Sequence, residues 1–122
     1  MKHVGNVDAR TQDSVITSLE STLHKLSKSF DSVKRRGGNT HLITRRLHAV
    51  QVGLKSIVSV WNDKSFDYTE ECVASVIVIL HGIRISIEKQ LKKAKEGSAQ
   101  KTLNVRRHLA LTLVIESLED RL

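Results

Sequence analysis

The chain has 122 residues, enough for one hydrophobic core and too few for two. Apolar residues make up 39% of the chain and charged residues 27%, a composition that excludes both a disordered and a largely membrane-embedded protein. Twenty lysines and arginines oppose thirteen acidic residues, for a formal charge of +7, and the single cysteine, Cys72, excludes an internal disulfide framework.

Apolar side chains recur in four segments at alternating steps of three and four residues, the spacing that lines one face of an α-helix. The predicted helices cover residues 8–34, 41–61, 69–95 and 99–121. The apolar stripe of the fourth helix is the least regular. We therefore expect a single all-α domain over residues 1–122.

The segments between these helices contain residues that end one helix and cap the next. Gly37 to Thr40 follows the first helix, Asn62 to Ser65 the second, and Gly97–Ser98 the third. Asp67 and Glu70 have the spacing of a capping box for the third helix. Connections this short favour antiparallel neighbours, so we predict an antiparallel up-down-up-down four-helix bundle.

An α+β fold is the alternative, because β-branched residues are abundant in the middle of the chain. Ile83 to Ile87 alternates apolar and polar residues as a strand does, and Val50 to Val52 does the same. This alternative has short strands between residues 48 and 87.

The third predicted helix is apolar on almost every side from Cys72 to Leu80, which exceeds what a small monomeric bundle needs. Off-stripe apolar residues in the third and fourth helices are Val78, Ile79, Ile85, Leu109 and Leu113. We therefore expect a homo-oligomer formed through the apolar surfaces of these two helices. The alternative is that long lysine and arginine side chains cover the excess.

Signals for a membrane or for export are missing from the sequence. The longest apolar run, Val76 to Leu80, is far shorter than the ~20 residues of a membrane-spanning helix. Met1 to Arg10 lacks the apolar stretch of a signal peptide. Together with the single cysteine, these features predict a cytoplasmic protein that has no membrane partner.

The predicted topology gathers positive charge at one end of the bundle, where the first and third helices end and the second and fourth begin. Thirteen cations and three acids fall at this end, whereas the rest of the chain has seven cations and ten acids. The candidate nucleic-acid-binding residues belong to this end: Lys34, Arg35, Arg36, Arg45, Arg46, Lys92, Lys93, Lys95, Lys101, Arg106 and Arg107.

Four of these cations are the leading candidates for phosphate contacts: Arg45, Arg46, Arg106 and Arg107. Cations near the C-terminus of a helix favour the helix dipole, which explains the other clusters without a ligand. The four arginines and Lys101 instead follow helix N-termini, where folding gains nothing from a positive charge. They suggest a protein that binds a polyanion, for which a nucleic-acid backbone is the obvious candidate.

The aromatic residues indicate which mode of nucleic-acid binding to expect. The chain has only Phe30, Trp61, Phe66 and Tyr68, and the last three fall near the opposite end of the predicted bundle. They either plug the end of the core or form a protein-docking spot. Neither role provides a platform on which single-stranded bases stack, and no base-reading motif is present.

We therefore predict a non-enzymatic protein that binds the phosphate backbone of RNA or DNA without sequence specificity, as a small subunit of a nucleoprotein assembly. The alternative is an interaction or inhibitor module, immunity- or antitoxin-like, that docks an acidic protein partner. The first predicts salt-sensitive binding to many sequences alike, and the second predicts one tight protein partner.

Patterns for catalysis are weak, and we predict no catalytic residue, metal or cofactor. Arg36 and His41 have the spacing of the HEPN-type ribonuclease motif, but nine arginines and six histidines give about one such match by chance. His48 lacks the basic residue and the glycine that follow the reactive histidine of phosphotransfer bundles. His24, His48 and His108 fall at similar heights in the bundle but lack the companion ligands of a metal site.

Overall fold

The computed structural model describes residues 4–122. The prediction that Met1 to Arg10 is not a signal peptide falls in part on residues 1–3, which lie outside the described residues. A short 3₁₀-helix, Val4–Asn6, precedes four α-helices: α1, Ala9–Arg35; α2, His41–Asn62; α3, Glu70–Lys93; and α4, Ala99–Glu119. Residues 4–122 contain no strand. The all-α four-helix bundle is therefore confirmed, and the α+β alternative is wrong.

Polar side chains at the helix starts accept hydrogen bonds from backbone N–H groups that have no partner within the helix. Asp8 accepts one from Thr11 N at 2.9 Å, and Ser98 accepts one from Lys101 N at 3.1 Å. Between α1 and α2, Gly37 has a φ of 73°, the left-handed conformation that glycine adopts without strain. The observed helices therefore begin and end within two residues of the predicted positions.

The predicted cap of α3 is wrong. Thr69, rather than Asp67, accepts the capping hydrogen bond, from the backbone N–H of Cys72 at 3.1 Å. The reason lies in the preceding segment, where Phe66 and Tyr68 pack against the core and hold residues 64–69 outside the helix. The helix therefore starts one residue later than predicted, at Glu70.

The arrangement of the bundle centres on α2 and α4. Gly53 of α2 faces Val114 of α4, and Ser56 Oγ lies 2.9 Å from Ser117 Oγ, so the two helices run in the same direction. The small side chains of Gly53 and of the two serines allow this close approach. Both helices contribute several side chains that are fully buried.

The other two helices lie on opposite sides of this central pair. Arg84 of α3 lies opposite Thr112 of α4, and Glu88 lies opposite His108, so α3 and α4 run antiparallel. α1 packs against α2 and α4, but the Cα atoms of α1 and α3, both wholly within the described chain, stay more than 8 Å apart. The second half of α1 is less buried than the first: Val15 and Leu19 are buried, whereas Leu23 and Leu26 are only partly buried.

The C-terminus and the α2–α3 connection close one end of the core. Arg121 donates from Nε to Ser56 Oγ and from Nη2 to the Ser56 carbonyl, both at 2.9 Å, and its guanidinium lies 3.9 Å from the centre of the Phe66 ring. Trp61 donates from its indole nitrogen to the Val4 carbonyl at 2.9 Å. Trp61, Phe66 and Tyr68 all pack against the core.

The off-stripe apolar residues divide into two groups. Val78, Ile85 and Leu109 are exposed, to 71%, 51% and 40%. Leu113 is 3% exposed and Ile79 is partly buried against the core, so these two residues need no second subunit to cover them. The prediction that they form excess apolar surface is wrong, because Leu113 lies on α4, which is buried on several sides, and Ile79 on α3 packs against the core.

No helix in the described range combines the length and the hydropathy required to cross a bilayer.

Candidate functional site

Four exposed cations lie at the end of α1 and the start of α2, on either side of the connecting turn: Lys34, Arg35, Arg36 and Arg45. Arg35 and Arg36 each direct Nε to a carbonyl one turn earlier in α1, at 3.4 Å, and Lys34 Nζ lies 5.9 Å from the centre of the Phe30 ring. These three side chains therefore have a local role at the C-terminus of α1, where positive charge is favourable. Arg45, in the first turns of α2, lies where the helix dipole disfavours a cation.

A second group of exposed cations is at the end of α3. Lys92 and Lys93 occupy its last turn, and Lys95 lies in the connection to α4 rather than in the helix as predicted. Ser29, Ile43 and Gln90 line one cavity, so the second half of α1, the last turn of α3 and the first turn of α2 lie at the same end of the bundle. The seven cations of these two groups are called the basic surface below.

The basic surface contrasts with the start of α4. Lys101 forms an ion pair with Glu96, so its charge is partly neutralised. Arg106 is exposed and lines shallow grooves with Asp13 on one side and Glu96 on the other. Both of these predicted residues therefore have an acidic side chain close by.

Arg46 and Arg107, the remaining predicted residues, are half-buried and line the same cavity. The cavity has a volume of about 340 Å³ and lies between the second halves of α1 and α3. Its walls combine apolar, small polar and cationic side chains: Thr22, Lys25, Leu26, Ser29, Ile43, Arg46, Ile83, Ser86, Ile87, Gln90 and Arg107.

The described side chains that line this cavity carry only positive formal charges. None of the eleven described residues that line it is acidic, whereas three are cationic. Arg107 Nε is buried and has no hydrogen-bond partner within residues 4–122. One turn earlier in α4, both polar atoms of the Asn104 side chain are also buried without a partner in that range. A buried polar group without a partner costs ~1–3 kcal/mol, so this region of α4 is not optimised for stability alone.

The sequence did not reveal this cavity. Lys25, Ser86 and Gln90 were not among the candidate residues, and they come from two helices, α1 and α3, that are far apart in sequence. The sequence feature that could have indicated the cavity is the pair of polar residues Thr22 and Ser29, which lie beside the apolar stripe of α1 and line the cavity. Small polar side chains on an inward face are a sign of incomplete packing.

Two histidines, His48 and His108, lie close to side chains of α3. His108 Nε2 donates to Glu88 at 2.8 Å, and this hydrogen bond lowers the pKa of Glu88 below its ordinary value. His48 Nε2 lies 3.8 Å from Cys72 Sγ. Within residues 4–122, no group of three or more possible ligands could hold a metal ion. His41 is the first residue of α2 and Arg36 caps α1, so the HEPN-like pair flanks an exposed turn.

No protein-family model, no curated protein and no solved structure matches this chain.

Proposed function

We propose that this protein binds the phosphate backbone of a nucleic acid through the basic surface, without reading base sequence, and does so in the cytoplasm as a small subunit of a nucleoprotein assembly. The observation that carries the proposal is the exposure of all seven cations: Lys34, Arg35, Arg36, Arg45, Lys92, Lys93 and Lys95. Within residues 4–122, none of them forms an ion pair.

The physical basis is the release of counterions from the nucleic acid. Each phosphate that a lysine or arginine neutralises frees condensed counterions, and the gain depends on positive charges that are accessible and not already paired. Asp31 is the one acidic side chain that lines the shallow groove beside Lys34 and Arg35. Its carboxylate oxygens lie more than 4 Å from the side-chain nitrogens of both residues, so it forms no ion pair with them. The basic surface therefore keeps its charge available.

Backbone contact fits the aromatic residues better than base stacking does. Trp61, Phe66 and Tyr68 pack against the core, and Lys34 lies over the half-buried Phe30 ring. Stacking platforms for single-stranded bases need exposed aromatic faces. We therefore expect duplex or structured RNA, or duplex DNA, to bind at least as well as single strands of equal length.

Self-association is part of the same proposal. Val78 and Ile85 on α3 and Leu109 on α4 are exposed apolar side chains. Contact between these residues in two copies would cover them and would bring two basic surfaces to one nucleic acid. Light scattering on a sizing column tests this, and a protein that elutes as a 13.7 kDa monomer at tens of micromolar would contradict it.

The test of backbone binding is fluorescence anisotropy with labelled duplex RNA, duplex DNA and single strands, each at several salt concentrations between about 50 and 200 mM. Arg36→Gln/Arg45→Gln removes two charges from the basic surface. The plot of log association constant against log salt concentration has a negative slope, and we expect the magnitude of that slope to decrease by about two. Arg10→Gln/Lys64→Gln is the matched control, because it removes two exposed charges near the other ends of α1 and α2.

The proposal is supported if the surface variant lowers the slope and the control does not. Absence of any binding by the unmodified protein near 50 mM salt would overturn it. Equal losses in the two variants would also contradict it, because they would reflect net charge rather than a site. A tight complex with one acidic protein, without affinity for nucleic acid, would instead support the interaction-module alternative.

A further inference from the structure

The cavity between α1 and α3 has the properties of a small-molecule site. Its volume of about 340 Å³ lies within the range of known ligand pockets, and residues of all four helices contribute to its walls. Bundle cores commonly build ligand sites from side chains on facing helices. Here α1 and α3 both pack against α2 and α4, while their own Cα atoms stay more than 8 Å apart.

The lining specifies what kind of molecule fits. Leu26, Ile43, Ile83 and Ile87 supply apolar wall, and they favour a ligand with an apolar body. Arg46 and Arg107 supply positive charge on the α2 and α4 sides, without an acidic side chain among the described lining residues. A ligand for these walls therefore combines an apolar part with a negative group.

Arg107 adds a more specific requirement. Arg107 lines the cavity, and its Nε is buried without an acceptor within residues 4–122. A guanidinium binds carboxylate and phosphate oxygens through several N–H groups at once, and such charge-assisted hydrogen bonds are among the strongest in proteins. Nε itself has no accessible surface, so the N–H groups of Arg107 other than Nε are the ones that an anionic group in the cavity can reach.

We propose that the cavity binds a small amphipathic anion, a carboxylate or phosphate group carried on an apolar chain or ring, with Arg46 and Arg107 at its head group and the isoleucines around its body. This site is separate from the basic surface. Arg46 and Arg107 are neighbours of Arg45 and Arg106 in sequence, yet one member of each pair lines the cavity and the other is exposed outside it. The proposal therefore does not rest on nucleic-acid binding.

The test is a titration of the ¹⁵N-labelled protein with sodium octanoate and, separately, with octyl phosphate, followed by backbone amide shifts. Acetate and inorganic phosphate supply the head groups alone, and octylammonium supplies the same chain with the opposite charge. We expect saturable shifts at Thr22, Ser29 and Ser86 with octanoate, octyl phosphate or both, and the tighter of the two identifies the head group. The head groups alone should bind at least tenfold more weakly.

Four variants locate the binding. Arg46→Met and Arg107→Met keep the apolar stem but remove the charge, and each should weaken binding about tenfold or more. Arg45→Met and Arg106→Met remove the same charge from the adjacent exposed position and should leave the affinity unchanged. Circular dichroism checks that all four variants are folded.

Three results would overturn the proposal. The first is no saturable shift with either anion at millimolar concentration. The second is equal binding of octylammonium, which would show that the charge of the cavity plays no part. The third is equal loss in the cavity variants and their exposed neighbours, which would show attraction to the overall positive charge.

Discussion

Gly53 lies where α2 and α4 are in contact, and replacing it with alanine tests the packing at the centre of the bundle. A Cβ atom at this position would lie 2.4 Å from Cγ1 of Val114 and 3.5 Å from Cδ1 of Leu80. Ordinary contact begins at 3.4 Å, so Val114 would have to move by about 1 Å. Val114 is 0% exposed and its β-branched side chain has little rotamer freedom, so the movement must involve the helix itself.

Two opposing effects set the magnitude. Alanine favours a helix over glycine by about 1 kcal/mol, which on its own would stabilise the protein. Overpacking a well-packed core costs about 1–3 kcal/mol. The control is Gly82→Ala, because Gly82 is an exposed glycine within α3 and an added Cβ there meets nothing within 4 Å. We expect Gly82→Ala to stabilise the protein by about 1 kcal/mol, and Gly53→Ala to be less stable than Gly82→Ala by about 1–3 kcal/mol.

Urea unfolding followed by circular dichroism measures both free energies. Gly53→Ala/Val114→Ala serves as an internal check, because the smaller residue 114 removes the clash and the two substitutions should therefore be non-additive. Equal stabilisation by Gly53→Ala and Gly82→Ala would refute the close approach of α2 and α4.

Three further predictions concern other contacts. Arg121→Met should lower the free energy of unfolding by about 1–3 kcal/mol in urea denaturation, because Ser56 loses two hydrogen bonds, and a change below about 0.5 kcal/mol would contradict this. Glu88→Gln should destabilise the protein at neutral pH but not at strongly acid pH. The lowered pKa of Glu88 means that its contribution is present above its ordinary value of 4.5 and is lost as the pH falls through the lowered value. An effect that stays constant between these conditions would rule out the His108 hydrogen bond as its source. Lys101→Gln should change the salt slope of nucleic-acid binding less than Lys93→Gln does, because Lys101 is paired with Glu96, and the reverse order in anisotropy titrations would contradict the pairing.

The helices and most of their ends could be predicted from the sequence because their causes are local. The three- and four-residue spacing, Gly37 and Ser98 all act within a few residues. The cap of α3 could not be predicted, since it depends on Phe66 and Tyr68 reaching the core, and that contact exists only in the folded protein.

The candidate site was less predictable because its properties come from contacts between helices. Arg45 and Arg46 are equivalent in sequence terms, and only the packing of α2 turns one outward and the other into the cavity. The same holds for Arg106 and Arg107. His108 lacked a carboxylate one turn away, and its partner, Glu88, comes from the neighbouring helix.

The central claim is that the protein uses its exposed cations for a nucleic-acid backbone and not the two arginines of the cavity. The most direct measurement compares two charge-matched variants, Arg36→Gln/Arg45→Gln and Arg46→Met/Arg107→Met, in duplex RNA and duplex DNA anisotropy across salt concentration. We predict that the first variant lowers the salt slope by about two, while the second leaves it within about one of the unmodified protein. A larger loss in the cavity variant, or no binding by the unmodified protein at low salt, would contradict the claim.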